Sequence, residues 1–158
     1  MATTKSTTRP GSSARNAAKI FSDEERAAMQ ASVRERKAAA GRSPGDERAA
    51  GEEEVREKLA TMPAADRLMG ERIHELITTA APSLVPKTYY GMPAYAKDGK
   101  VICFYKPKSK FKVRYSTFEF QPDARLDDGE MWPVSFAVTE LNPRSEARIA
   151  ELVKRAIG

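Results

Sequence analysis

The chain's single histidine lies in a short acidic motif that could bind a metal. In the segment "ERIHE", Glu71 precedes His74 by three residues and Glu75 follows it directly. Residues three apart share one face of a helix, and carboxylate oxygens with an imidazole nitrogen suit iron. We therefore take Glu71, His74 and Glu75 as a candidate iron site. The alternative is a solvated polar helix face with His74 at its edge.

A run of basic residues indicates a different chemistry. Residues 97–114 carry seven basic groups and one acid, so this segment has a charge of +6 in a chain of net charge +5. Such a patch can hold phosphate groups or a single-stranded nucleic acid. The alternative is a solvated strand whose lysines protect a sheet edge. The candidate ligand-binding cations are Lys106, Lys108, Lys110, Lys112 and Arg114.

Aromatic residues are concentrated in the segment "KTYYGMPAY", residues 87–95. Gly91 permits a backbone conformation that other residues avoid, and Pro93 keeps the preceding residue extended. We predict that these two residues turn the chain from a helix into the first strand. The neighbouring large side chains then cover the joint and line a shallow pocket, with ligand contact open at the tyrosine hydroxyls. The predicted pocket residues are Tyr89, Tyr90, Met92 and Trp132.

The composition argues against several classes of function. With one cysteine and one histidine, the chain can form neither an internal disulfide nor a Cys/His zinc cluster. Cys103 stands in the apolar run "VICFY" and is predicted to be a core residue. No catalytic pair and no glycine-rich phosphate loop is visible, so we predict a non-enzymatic protein. A reduced cysteine and the lack of a long apolar run favour a cytoplasmic protein that does not bind membranes.

The elements that would position these residues follow from hydrophobic periodicity. Residues 64–80 have helical spacing, and residues 94–96, 101–105, 111–120 and 134–138 read as strands. Asp98-Gly99 is a strong hairpin signal, and Asn142 can cap a closing helix. The apolar phase flips within 111–120, which predicts a bulge near Ser116-Thr117 and places Lys110, Lys112 and Arg114 on one strand face.

This order predicts an α+β fold. It is a two-layer α/β sandwich in which N- and C-terminal helices pack on one face of an antiparallel sheet. Residues 1–20 are rich in serine, threonine and basic groups and are predicted to be a disordered tail, with a transit peptide as the alternative. Residues 21–51 are predicted to form a helical extension, capped by Ser22 and Glu25, and a linker from residue 41. Residues 52–158 then form the α/β domain.

Several segments carry a resemblance to a known family. The stretches "YYGMPAY", "KVICFY", "KFKVRY" and "LDDGEMWP", followed by an amphipathic helix, resemble the YdhG-like domain family over about residues 64–158. The resemblance implies a fold similar to that of frataxin and, from members described as iron chaperones, iron or an iron-using protein as partner. The expected function is a small cytosolic iron-chaperone-like binding protein. The alternative is an anionic-ligand or nucleic-acid-binding module using the basic segment 97–114. The oligomeric state is left open.

Overall fold

The structure is a computed structural model, and it describes residues 20–158. Its sheet is antiparallel throughout, with five strands in the order β1-β2-β3-β4-β5. The predicted α+β class is therefore confirmed, while the predicted tail lies, except for Ile20, outside the described residues. The helices are α1 (Asp23–Ala39), α2 (Pro44–Ala60), α3 (Ala64–Ala80) and α4 (Pro143–Ala156). The strands are β1 (Val85–Tyr89), β2 (Met92–Lys97), β3 (Lys100–Lys106), β4 (Ser116–Phe120) and β5 (Ser135–Val138).

The main core lies on one face of the sheet, between the strands and helices α3 and α4. Tyr95 and Cys103 are opposite each other on β2 and β3 and are fully buried, as the apolar run of β3 predicts. Helix α4 begins at the predicted Asn142 cap. The Asn142 side chain accepts hydrogen bonds from two backbone N–H groups of the first turn. The helices contribute Ile73, Ile77, Ile149, Leu152 and Val153 to this core.

Helix α1 packs on the opposite face of the sheet. This face has a smaller buried cluster, made by Met92, Ala94 and Phe104. The predicted capping box of Ser22 and Glu25 is present at the start of α1. The buried residues of α1 are Ala28, Ala31 and Ser32, so the helix contributes only small side chains to a face that is otherwise rich in large ones.

The predicted linker from residue 41 is wrong for most of its length. Helix α2 begins at Pro44, and the predicted boundary between residues 51 and 52 falls inside it. Ser43 accepts a hydrogen bond from the Asp46 N–H, and proline is well tolerated in the first helical turn. Gly51 is buried because α2 approaches the backbone of β1 closely at Pro86. Ser43 and Pro44 are therefore signals of a helix start rather than of a linker, and Gly51 permits close packing.

Residues 85–89 form a strand that the sequence pattern did not predict. In this edge strand Val85 is opposite Ala96, and Tyr89 is opposite Met92. The turn that joins the strands is Tyr90-Gly91, with φ angles of 51° and 76°. Gly91 therefore reverses the chain between two strands, and the prediction that it leads from a helix into the first strand is wrong.

The predicted strand over 111–120 begins only at Ser116. Residues 107–115 form a loop, so the phase change needs no bulge at Ser116-Thr117; the register shift lies between Tyr95 and Ala96 instead. Lys110, Lys112 and Arg114 accordingly do not share a strand face. At the far edge, the predicted strand 134–138 is present as β5; Val138 is buried, whereas Val134 precedes the strand and is exposed.

Among residues 20–158, none of the helices has both the length and the apolar character needed to cross a membrane.

Candidate ligand-binding surface

The loop after β3 is anchored to α3 by one buried carboxylate. The Asp66 side chain accepts a hydrogen bond from the Ser109 N–H at 3.1 Å and another from the Ser109 hydroxyl. Its main-chain carbonyl accepts a hydrogen bond from the Tyr105 hydroxyl at 3.0 Å. Asp66 is 3% exposed, so the carboxylate is shielded from most water, whereas Ser109 is exposed. These contacts join the loop and the end of β3 to helix α3.

Three cations lie over aromatic rings here, one at the end of β3 and two in the loop that follows. The Lys106 and Lys110 ammonium groups are 4.7 and 5.7 Å from the centre of the Phe111 ring. The Arg114 guanidinium is 5.0 Å from the centre of the Tyr115 ring. These distances fall within the range of cation–π contacts. We call residues 106–115, which comprise the last residue of β3 and the loop after it, the aromatic–basic loop.

The lysines of the loop have different electrostatic surroundings. Burial lowers the pKa of Lys110, and the nearby positive charge of Lys58 lowers it further, against an opposing effect of Glu35. Lys112 instead forms an ion pair with Glu24 at 2.6 Å, and this contact raises the pKa of Lys112. The charged form of Lys110 is therefore disfavoured by its surroundings, whereas Lys112 is already paired with Glu24 of α1.

The basic segment 97–114 is divided in space. Lys97 and Lys100 flank the β2–β3 turn, where Lys97 donates to the Ile157 carbonyl and Lys100 lies 3.5 Å from Asp123. The aromatic–basic loop begins at the other end of β3. A strand of this length spans about 20 Å. The positive charge that is continuous in sequence therefore forms two separate groups.

The β1–β2 turn lies beside the aromatic–basic loop and carries a bound carboxylate. Glu35 of α1 accepts hydrogen bonds from the N–H groups of Tyr90 and Gly91 at 2.9 and 2.7 Å. The Lys110 ammonium group lies next to Gly91. Tyr90, Met92, Lys106 and Phe111 line one cleft, so the structure brings together several of the predicted ligand residues.

The remaining predicted pocket residues are arranged differently. Tyr89 packs against Tyr90 and Phe104, with ring centres 4.7 and 5.4 Å apart, and burial raises its pKa. Trp132 packs against the main core on the other face of the sheet. The structure therefore does not bring Trp132 into a pocket with the tyrosines.

His74 is committed to a network that links three elements. Its Nδ1 lies 2.9 Å from the Tyr95 hydroxyl, and its Nε2 lies 2.8 Å from Glu52. Burial raises the pKa of Tyr95 well above its ordinary value, and its hydroxyl shares a hydrogen bond with Nδ1 whose direction depends on the imidazole tautomer. His74 thus connects α3 to α2 and β2.

The predicted iron ligands are not assembled into a metal site. Within residues 20–158 no group of three or more His, Cys, Asp or Glu side chains is placed to hold a metal ion. Glu75 forms an ion pair with Arg72 at 2.7 Å, and Glu71 lies 3.9 Å from Arg67. Glu71, His74 and Glu75 therefore stay a prediction that the geometry does not support.

Comparisons with family models, with curated proteins and with solved structures find no match to this chain. The resemblance to the YdhG-like family accordingly stays a prediction. The residues that sequence reasoning missed are Glu35, Glu52 and Asp66. Glu35 and Asp66 act on partners more than forty residues away, so no local spacing signals their roles.

Proposed function

We propose that this protein is a non-enzymatic binding protein for an anionic ligand, with single-stranded nucleic acid as the ligand class. The observation that carries the proposal is the set of three cations over two aromatic rings in the aromatic–basic loop. Proteins that bind single strands without sequence preference combine cations for the phosphates with rings on which bases stack. Phe111 and Tyr115 are half-buried, so each ring is held in place while part of it stays accessible.

The position of the loop supports this assignment. Asp66 anchors the loop before any ligand arrives, so little additional ordering is needed on binding. Burial and the nearby Lys58 disfavour the charged form of Lys110. A phosphate placed beside Lys110 would offset both effects, because an opposite charge stabilises the ammonium form.

Binding of a single-stranded oligonucleotide is expected to weaken steeply with salt. If Lys106, Lys108, Lys110 and Arg114 each neutralise one phosphate, the plot of log affinity against log salt has a slope of about −3. Fluorescence anisotropy of a labelled oligonucleotide, measured between about 50 and about 200 mM salt, gives this slope. Absence of binding at the lowest salt, or a slope near zero, would remove the proposal.

The iron-chaperone role rests on the family resemblance alone and stays a prediction. Calorimetric titration with ferrous iron under anaerobic conditions tests it. Saturable heat that disappears in a Glu71→Gln/Glu75→Gln variant would support iron as the ligand. His74 is left intact in that variant because it connects three elements of the fold. A titration without saturable heat would end the iron role and leave the anionic-ligand proposal unaffected.

A further inference from the structure

The β1–β2 turn is built to hold a carboxylate. Tyr90 and Gly91 both have left-handed backbone conformations, and their successive N–H groups point to one acceptor. Each N–H donates to a different oxygen of the Glu35 carboxylate, at 2.9 and 2.7 Å. Successive N–H groups in such turns form concave sites for anions. The occupant of the site in this structure is a side chain of α1.

Helix α1 fills the face beneath it poorly. The helix buries two alanines and a serine, while Met29 and Val33 are 39% and 50% exposed. The face below offers the large side chains of Met92 and Phe104. A cleft of about 260 Å³ is present between helix and sheet. Its apolar lining comes from Phe21, Ala28, Met29, Met92, Phe104 and Phe111.

Charge on the two sides of this contact is complementary. The sheet side carries Lys106, which lines the cleft together with one acid, Glu119, and Lys110 next to the carboxylate site. The helix side contributes Glu25 to the cleft and Glu24 to an ion pair with Lys112. A helix that binds this face is therefore expected to be acidic as well as apolar.

We propose that α1 is a displaceable internal ligand, and that the face beneath it binds an acidic amphipathic helix of a partner protein. A carboxylate of the partner replaces Glu35 on the Tyr90 and Gly91 N–H groups. A larger aliphatic side chain replaces Ala28 and fills the cleft. The two proposed sites share Lys106, Lys110 and Phe111, but the carboxylate contacts of this inference are main-chain N–H groups, so it can be tested separately from the nucleic-acid proposal.

A pair of peptides tests the proposal on the full-length chain. The first has the sequence of residues 21–40 with Ala28→Leu, and the second carries Glu35→Gln in addition. The leucine peptide is expected to bind. The peptide that also carries Glu35→Gln is expected to bind about tenfold more weakly, because the charged hydrogen bonds to the turn are lost. The two peptides share one apolar face, so the difference isolates the carboxylate. Fluorescence anisotropy of the labelled peptides gives both affinities.

A variant of the full-length chain provides the reciprocal test. The Glu35→Gln chain has a weaker internal ligand, so the leucine peptide is expected to bind it about tenfold more tightly than the wild type. On binding, hydrogen exchange should speed up in α1 of the protein, while the Tyr90 and Gly91 amides stay protected. Equal affinities of the two peptides, no binding to the Glu35→Gln chain, or unchanged exchange in α1 would each overturn the proposal. The salt slope of oligonucleotide binding does not depend on any of these outcomes.

Discussion

Replacing Gly51 with alanine is expected to lower the free energy of unfolding by about 3 kcal/mol, the upper part of the range for overpacked sites. A Cβ atom at Gly51 would overlap the Pro86 carbonyl oxygen, which belongs to the backbone of β1. Helix α2 would have to move away from the strand. Helix propensity alone predicts that alanine raises the free energy of unfolding by about 1 kcal/mol. A decrease in this free energy would therefore show that the packing clash outweighs helix propensity.

Gly45 provides the matched control, because it lies in the same helix and an added Cβ would meet nothing within 4 Å. The Gly45→Ala variant is expected to be as stable as the wild type or more stable by up to about 1 kcal/mol. Urea denaturation followed by circular dichroism measures both variants. Equal stabilities for the two alanine variants would show that α2 does not pack on β1 as described.

Replacing Asp66 with alanine is expected to cost about 2 kcal/mol of stability, which lies within the range for hydrogen bonds to charged groups. The Ser109 N–H would lose its acceptor, and the aromatic–basic loop would lose its anchor. Oligonucleotide affinity should therefore fall together with stability, although no cation is removed. Denaturation and anisotropy on the same protein sample measure the two effects.

The control for this prediction is Asp123→Ala. Asp123 is 49% exposed and lies 3.5 Å from Lys100, a surface pair that is worth little. Its loss is expected to change stability by less than about 0.5 kcal/mol and to leave oligonucleotide binding unaltered. If Asp66→Ala behaves like Asp123→Ala, the loop is not anchored by this carboxylate.

Part of the fold can be read from local sequence signals. The apolar run of β3, the Asp98-Gly99 turn and the Asn142 cap each act within a few residues, and each has the predicted role. Strand β1 gives no such signal, because "VPKTY" contains a proline, which is tolerated at a sheet edge. The start of helix α2 was not predicted, because the segment "GRSPGDERAAG" is poor in helix-forming residues. Ser43 nevertheless caps this helix and Pro44 is its first residue.

The alternation of Phe111, Val113 and Tyr115 resembles a strand, yet the segment is a loop. Phe111 packs toward the cluster of Met92 and Phe104, and two lysines lie over its ring. The loop conformation depends on Asp66, which is more than forty residues away. Periodicity cannot report a contact of this kind, so the cations lie in a loop rather than on the predicted strand face.

The candidate site shows the same limit. Lys112 belongs to the predicted cation set, but its partner Glu24 comes from a helix far away in sequence. Glu35 is also distant from the turn that it contacts. Sequence patterns identify residues that can carry charge, whereas the tertiary contacts decide which charges are already paired.

Two double variants with the same net charge test the central claim most directly. Lys110→Ala/Arg114→Ala removes two cations of the aromatic–basic loop, and Lys97→Ala/Lys100→Ala removes two cations at the other end of β3. At about 50 mM salt, the loop variant is expected to bind the single-stranded oligonucleotide at least about tenfold more weakly, with a salt slope shallower by about 1.4. The control variant is expected to keep the wild-type affinity and slope. Equal losses in the two variants would contradict the account, because binding would then follow the net charge of the protein rather than the loop.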